Sequence, residues 1–272
     1  MVIVFRLLPN ILAKVPYKPK MALNLIAFDF DHTIVDDNTD TVVAGLLNKT
    51  QIPESVKTLY RKDGWTAYMQ EIFKLLHQNK VSQNVILNAV KNIKPVNGVK
   101  DLIQELHDHL NCHVIIISDS NTLFIECWLK FHQLDRLISK VFSNPARFDS
   151  DGMLHIEMYH VQDNCKLSSK NLCKGQILQD FLNEQEKKGI KYAKTVYCGD
   201  GTNDFCPILR LNKEDIGCVR NGYRCIQLIQ KTLSGQKVDD VLYKLKCNIC
   251  EWNDCYDILN YVKPRIINEM VH

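Results

Sequence analysis

Apolar residues recur along this chain in two rhythms: short continuous runs of strand type, and a spacing of three to four residues that marks helices. Leu25-Ile26-Ala27-Phe28 is the first run and ends abruptly in Asp29-Phe30-Asp31-His32-Thr33. His113-Val114-Ile115-Ile116-Ile117 is a β-branched run suited to a strand buried on both faces, and it ends in Ser118-Asp119-Ser120-Asn121. Thr195-Val196-Tyr197-Cys198 leads into Gly199-Asp200-Gly201-Thr202-Asn203-Asp204. Phe142 to Asn144 reads as a further short strand, and Ile216 to Val219 as the last core strand.

Helical spacing fills the intervals. Met69, Ile72, Phe73 and Leu76 form one stripe, and Ile86, Ala89, Val90 and Ile93 another. Val99, Leu102, Ile103, Leu106 and Leu110 predict an amphipathic helix after Pro95 and Gly98. Two more helices are expected around Phe124 to Phe131 and Ile177 to Leu182. Strands separated by helices predict a doubly wound, mainly parallel α/β sheet of Rossmann-like type. No strand is expected between about Asp36 and Lys94, so a small helical cap is inserted after the first strand. The expected division is residues 1–21 as an extension, 22–35 and 95–272 as the α/β core, and 36–94 as the cap. Tyr60, Trp65, Tyr68 and Phe73 read as the cap's own core, with room for one of them to line a site.

Composition changes little. The 272 residues are 46% hydrophobic and 24% charged, an ordinary globular balance. A formal charge of +3 without a dense basic cluster gives no argument for nucleic acid. No apolar run approaches the length of about 20 residues that spans a bilayer. Eleven cysteines without a repeating spacing point to free thiols in a reducing, cytoplasmic setting. The acid-free first residues, with Arg6, Lys14, Lys18 and Lys20, have presequence character, but Pro9, Pro16 and Pro19 would break its helix.

The strand ends carry the candidate chemistry. Ligands of open α/β sheets bind beyond the carboxyl ends of the strands, and three such ends hold Asp29/Asp31, Ser118 and Asp200/Asp204. Along a strand, residues two apart face the same side, so Asp29 and Asp31 should converge while Phe30 points into the core. An Asx turn is the ordinary alternative for that pair alone. The full set suits phosphoryl transfer from a monoester. One carboxylate attacks phosphorus, and a second protonates the leaving alkoxide and then deprotonates water. Lys174 and the Ser118 hydroxyl steady the phosphoryl oxygens. A divalent cation held by oxygen ligands, Mg²⁺ by preference, offsets the repulsion between acid and dianion, with Asp204 orienting Asp200 or its waters.

These motifs resemble the four motifs of the haloacid dehalogenase superfamily of aspartyl phosphatases. Asp36-Asp37-Asn38-Thr39-Asp40, Ile117 to Asn121, Asn171-Leu172-Cys173-Lys174 and Gly199 to Pro207 further resemble the phosphoethanolamine/phosphocholine phosphatase family, which includes a pyridoxal phosphate phosphatase branch. The resemblance covers about Ala22 to Val262. It implies Asp29 as nucleophile and Asp31 as acid/base. It also implies Mg²⁺ on Asp29, the Asp31 carbonyl and Asp200, with Asp204 beside them. Asp40 and Asp119 become substrate contacts, which suits a cationic amine. Without the resemblance, Asp40 could cap a helix and Asp119 could satisfy a turn. The expected partner is a small phosphomonoester; no nucleic acid or membrane partner is expected, and the sequence leaves oligomeric state open.

Three other readings remain. Asp149-Ser150-Asp151-Gly152 resembles the start of a calcium loop but lacks the remaining ligands, so a hairpin turn is expected. His155, His160, Cys165 and Cys173 match no compact zinc spacing. The family pattern has Cys where this chain has Ser168, and His where it has Asp163, so a metal cluster in that loop is expected to lack ligands here. A catalytically silent interaction protein on the same fold is the alternative function; such a chain would be expected to lack Asp29 or Asp31, and both are present.

Overall fold

The computed structural model describes residues 22–60 and 63–267. The extension assigned to 1–21 lies outside them. In chain order, β1 (Asn24–Phe28) is followed by α1 (Thr39–Ala44), α2 (Glu54–Lys57), α3 (Trp65–Gln78) and α4 (Gln83–Lys91). Then come α5 (Val99–Asp108), β2 (Cys112–Asn121), α6 (Thr122–Phe131), β3 (Lys140–Asn144) and the pair β4 (Ala146–Phe148) and β5 (Leu154–Ile156). The rest is α7 (Lys174–Lys187), β6 (Thr195–Gly199), α8 (Phe205–Arg210), β7 (Ile216–Arg220), α9 (Arg224–Leu233), β8 (Asn248–Trp252) and α10 (Cys255–Ile267). Among the described residues no helix is long and apolar enough to cross a membrane.

Six strands form one parallel sheet in the order β3-β2-β1-β6-β7-β8. The winding reverses at β1, whose neighbours are β2 on one side and β6 on the other. That reversal opens the crevice where ligands of such sheets bind. β1 is buried along its whole length because both faces are covered. Ile26 and Phe28 pack in the layer with Leu102, Trp128 and Ile258. Leu25 and Ala27 point the other way, into the layer of Ile177, Phe181, Ile208 and Ile229. Burying each large apolar side chain in these layers contributes about 1.5–3 kcal/mol.

Phe30 enters the core between its two acidic neighbours, with its ring edge-on to Trp128 at 5.7 Å. The Trp128 indole N–H donates to the Ile93 carbonyl at 2.9 Å. One aromatic anchor thus sets the level at which β1 stops.

α1 to α4 occupy the interval between β1 and α5. Its two connections to the sheet run side by side: Asp36 N–H donates to Lys94 O at 2.8 Å, and Val96 N–H to Ile34 O at 3.0 Å. Arg220, from the end of β7, grips the first connection through His32 O and Asp36 Oδ1, both at 2.7 Å. β4 and β5 form an antiparallel hairpin that meets α3 through Gln70, which bonds Leu154 O and Ile156 N. Asp149 organises the hairpin turn by accepting from the Asp151 and Met153 amides and pairing with His155. Its oxygens are therefore committed within the turn.

The sheet does not end at Ile216 to Val219. β8 adds an edge strand in register with β7, Cys218 opposite Cys250. At the edge, Asn248 and Glu251 are exposed while Cys250 and Trp252 are buried. That half-buried pattern lacks the continuous apolar run that marks a central strand.

Candidate active site

Four strand and helix ends meet at the carboxyl edge of the sheet. Asp29 follows β1, Lys174 opens α7, and Asp200 and Asp204 follow β6. The Lys174 ammonium is fully buried, 2.5 Å from Asp29 Oδ2 and 2.8 Å from Asp204 Oδ1. Burial works against its charge, but Asp204 and Asp29 outweigh that penalty and hold its pKa above the usual lysine value.

Asp204 is saturated. Oδ1 accepts from Lys174 and from the Tyr197 hydroxyl at 2.7 Å, and Oδ2 accepts from the Asp200 and Gly201 amides at 3.0 and 2.8 Å. Gly199 leaves space for this carboxyl, since a Cβ there would lie 2.3 Å from Asp204 Cγ. Asp200 keeps more of its capacity, with Oδ1 accepting from the Thr33 hydroxyl at 3.3 Å. Burial, then Asp204, push the Asp200 carboxyl up to about 7 against the pull of Lys174. Burial and Asp204 likewise push Asp29 well above the carboxylate range, with Lys174 opposing.

Carboxylate oxygens of Asp29, Asp200 and Asp204 lie within 4.8 Å of one another. When ionised, three acids around one ammonium leave an excess of negative charge in a buried site, and the raised pKa values of Asp29 and Asp200 reflect burial and that crowding. Hard oxygen donors in that number fit a divalent cation.

Asp31 has other partners than Asp29. β1 ends at Phe28, and His32, just past the second acid, takes a left-handed backbone (φ 55°) that turns the chain toward α1. The Asp31 carboxylate turns toward the start of α1, accepting from Thr39 N at 3.0 Å, Asn38 Nδ2 at 3.0 Å and Thr39 Oγ1 at 3.2 Å. Burial, with Asp40 and Asp119 nearby, pushes it well above the usual range although the Thr39 amide favours the anion. Ser118 is buried two residues past Ile116, the register partner of Phe28, and its hydroxyl accepts from Ser120 N at 3.2 Å.

Asp31, Asp40 and Asp119 share a cavity of about 450 Å³ with Tyr60, Trp65 and Arg224. Asp40 is not a helix cap: Asn38 caps α1 by accepting from Thr41 N. Its Oδ2 accepts from the Trp65 indole at 2.7 Å, while Oδ1 is buried without a partner among the described residues. Burial, helped by Asp119 and opposed by the Trp65 N–H, pushes Asp40 up to about 7. Asp119 accepts from Asn203 Nδ2 at 3.0 Å, tying β2 to the loop after β6 rather than closing a local turn.

Sequence reasoning missed several members. Tyr197 looked like a core strand residue, and only the packing of β6 turns its hydroxyl onto Asp204. Asn38 and Thr39 lay in a polar run from which Asp40 alone was singled out. Arg224, at the start of α9, sits past a strand end and was legible by the same logic that found Lys174. The four-residue zinc set divides. His155 pairs with Asp149 at 2.8 Å, whereas Cys165 and Cys173 meet Cys206, which the spacing could not reveal.

The acids at the strand ends and the buried lysine lie in a phosphatase, a phosphoric monoester hydrolase. Residues 24–266 match the model of the family described as "Putative Phosphatase", and the chain belongs to that family. It is 36% identical over 242 residues to Pyridoxal phosphate phosphatase PHOSPHO2 of Homo sapiens, covering 88% of this chain and 97% of that protein. It is 33% identical over 236 residues to the Homo sapiens Phosphoethanolamine/phosphocholine phosphatase, covering 86% of each. In fold it is similar to a solved phosphoserine phosphatase in a phospho-aspartyl intermediate analogue form. That match has a TM-score of 0.57 and 21% identity, over 88% of this chain and 99% of the other.

Proposed function

We propose that this chain hydrolyses a small phosphomonoester whose alcohol part carries a cationic nitrogen, through an aspartyl-phosphate on Asp29. Candidate substrates are pyridoxal 5′-phosphate and phosphoethanolamine or phosphocholine, the compounds named in its relatives. The carrying observation is the division of bonds around Lys174. Asp204 commits both oxygens to four donors, which suits an orienting role, while among the described residues Asp29 Oδ2 meets only the ammonium.

In the first step an Asp29 oxygen bonds to phosphorus as the ester P–O bond breaks, and Asp31 gives its proton to the departing alkoxide. The raised Asp31 pKa keeps a proton available for that transfer. In the second step Asp31 takes a proton from water, whose oxygen displaces Asp29 and releases inorganic phosphate. Lys174 and the Ser118 hydroxyl steady the phosphoryl oxygens as charge spreads over them. A divalent cation of the Mg²⁺ type, held by Asp29, the Asp31 carbonyl and Asp200, would supply charge neutralisation between carboxylate and dianion.

The pocket supports the substrate class. Asp40 and Asp119 place two acids beside Tyr60 and Trp65, a lining that suits an ammonium or a pyridinium through charge and ring contact. We assign residues 36–94 the role of a cap that closes over this pocket. All eleven cysteines are free thiols, which supports a reducing, cytoplasmic setting.

The test is kcat/KM on pyridoxal 5′-phosphate, phosphoethanolamine, phosphocholine and a neutral aryl phosphate, with and without Mg²⁺, for the wild type and Asp29→Asn. A cationic substrate should lead the set, and Asp29→Asn should lose roughly 10³-fold or more. Preference for the neutral ester would overturn the substrate reading, and an active Asp29→Asn the nucleophile.

A further inference from the structure

Among the described residues, one group of side chains outside the proposed phosphate site has the geometry of a ligand set. Cys165, Cys173 and Cys206 place their sulfurs within 4.8 Å of one another. Cys165 Sγ is 3.4 Å from Cys206 Sγ, and Cys173 Sγ is 3.8 Å from it. Four sulfurs around tetrahedral zinc, each about 2.3 Å from the metal, stand about 3.8 Å apart. A disulfide would need about 2.05 Å, so the sulfurs are spaced for a shared cation rather than a bond.

The surroundings are built to hold this spacing. Residues 160–173 form no regular element between His160 and Lys174, yet their backbone is fixed from within. Gln162 accepts from Cys165 N at 2.8 Å and donates to the Ser169 carbonyl at 2.8 Å, and His160 Nε2 accepts from Cys173 N at 2.9 Å. The third sulfur comes from α8, beyond β6. Gly175 makes room for it: a Cβ there would lie 2.6 Å from Cys206 Sγ. The set also opens to solvent, since Cys165 and Cys173 line a cavity of about 410 Å³ that Arg210 borders. A guanidinium at that border offsets part of the charge that three thiolates bring.

The chain's other close thiols make the contrast. Cys198, Cys218 and Cys250 stand in register across β6, β7 and β8 and are buried in the apolar layer, where they pack as small hydrophobes.

We propose that Cys165, Cys173 and Cys206 form a three-thiolate Zn²⁺ site, with solvent from the cavity in the fourth position. Thiolate sulfur prefers zinc to the hard Mg²⁺ that the carboxylates suit, so the two sites take different cations. Bound zinc would fasten the 160–173 loop to the start of α8. Lys174 directly follows one ligand and Asp204 precedes another by two residues, so the site braces the pair that faces Asp29. Each thiol gives up its proton on binding.

Cobalt is the probe. The reduced, chelator-treated full chain is titrated with Co²⁺ in excess Mg²⁺, following the thiolate-to-cobalt charge-transfer band. The expected result is saturation at one equivalent, with displacement by Zn²⁺. Cys165→Ser should weaken cobalt binding at least tenfold, and Cys206→Ser should do the same where it folds, while Cys127→Ser, outside the set, leaves it unchanged. Because Cys165 is partly exposed on a loop, its variant keeps the test decisive if Cys206→Ser does not fold. A wild type without the band, or a Cys165→Ser variant with wild-type affinity, would overturn the site.

Discussion

The Trp65 indole N–H donates to Asp40 Oδ2 at 2.7 Å, joining α3 to α1 on the wall of the cavity that also holds Asp31 and Asp119. The bond leaves Oδ1 buried and without a partner among the described residues, and the proposed role of Asp40 gives that oxygen to a cationic group. Asp40 titrates near pH 7, pushed there chiefly by burial. Below that pH it is neutral and loses its attraction for an ammonium. The ratio of kcat/KM for phosphocholine to that for its neutral isostere 3,3-dimethylbutyl phosphate should therefore fall as pH drops from 8 to 6. In Asp40→Asn the ratio should be flat. A wild-type ratio independent of pH would remove Asp40 from substrate recognition.

The same raised pKa has a stability consequence. A carboxyl whose folded pKa exceeds its unfolded value stabilises the fold at low pH, and that contribution is lost as pH rises through the folded pKa. Asp40→Asn, which stays neutral, should thus be more stable than the wild type at pH 8 by at most about 4 kcal/mol, and match it near pH 4. Denaturant melts at both pH values measure the difference; equal gains at both would contradict the assignment.

Crowded acids leave the cluster of Asp29, Asp200 and Asp204 short of positive charge. Mg²⁺ at about 100 times its Kd should stabilise the chain by about 2.7 kcal/mol. Asp200→Asn removes a carboxyl that burial and Asp204 hold near 7. At pH 8 the metal-free variant should melt above the metal-free wild type, and Mg²⁺ should then raise its melting temperature less. An unchanged Mg²⁺ shift in Asp200→Asn would show that this acid does not help to hold the cation.

Gly199→Ala tests the brace behind the lysine. The new Cβ would meet the Asp204 carboxyl at 2.3–2.7 Å, too close for any real contact. Asp204 would have to move, releasing bonds from Lys174, Tyr197 and two amides. The expected outcome is a kcat lower by about 100-fold and a stability loss of about 2–4 kcal/mol. Wild-type kcat in a folded Gly199→Ala protein would mean that the Asp204 position is not needed for turnover.

The sequence by itself determined the layout. Continuous apolar runs ending in acids located β1, β2 and β6, because buried parallel strands demand such runs and their ends face the ligand crevice. Helical spacing located the insertion and the layers that cover the sheet. Tertiary structure decided what local periodicity cannot encode. Edge strand β8 hides because only half its side chains are buried. Asp29 meets Lys174 while Asp31 meets Asn38 and Thr39, partners that a strand period does not name. Tyr197 becomes a partner of Asp204, and Cys206 of Cys165, only when the winding of the sheet brings separate strand and loop ends together. Residue types and order set which groups reach the carboxyl edge; the packing of β1 between β2 and β6 fixed which of their atoms meet.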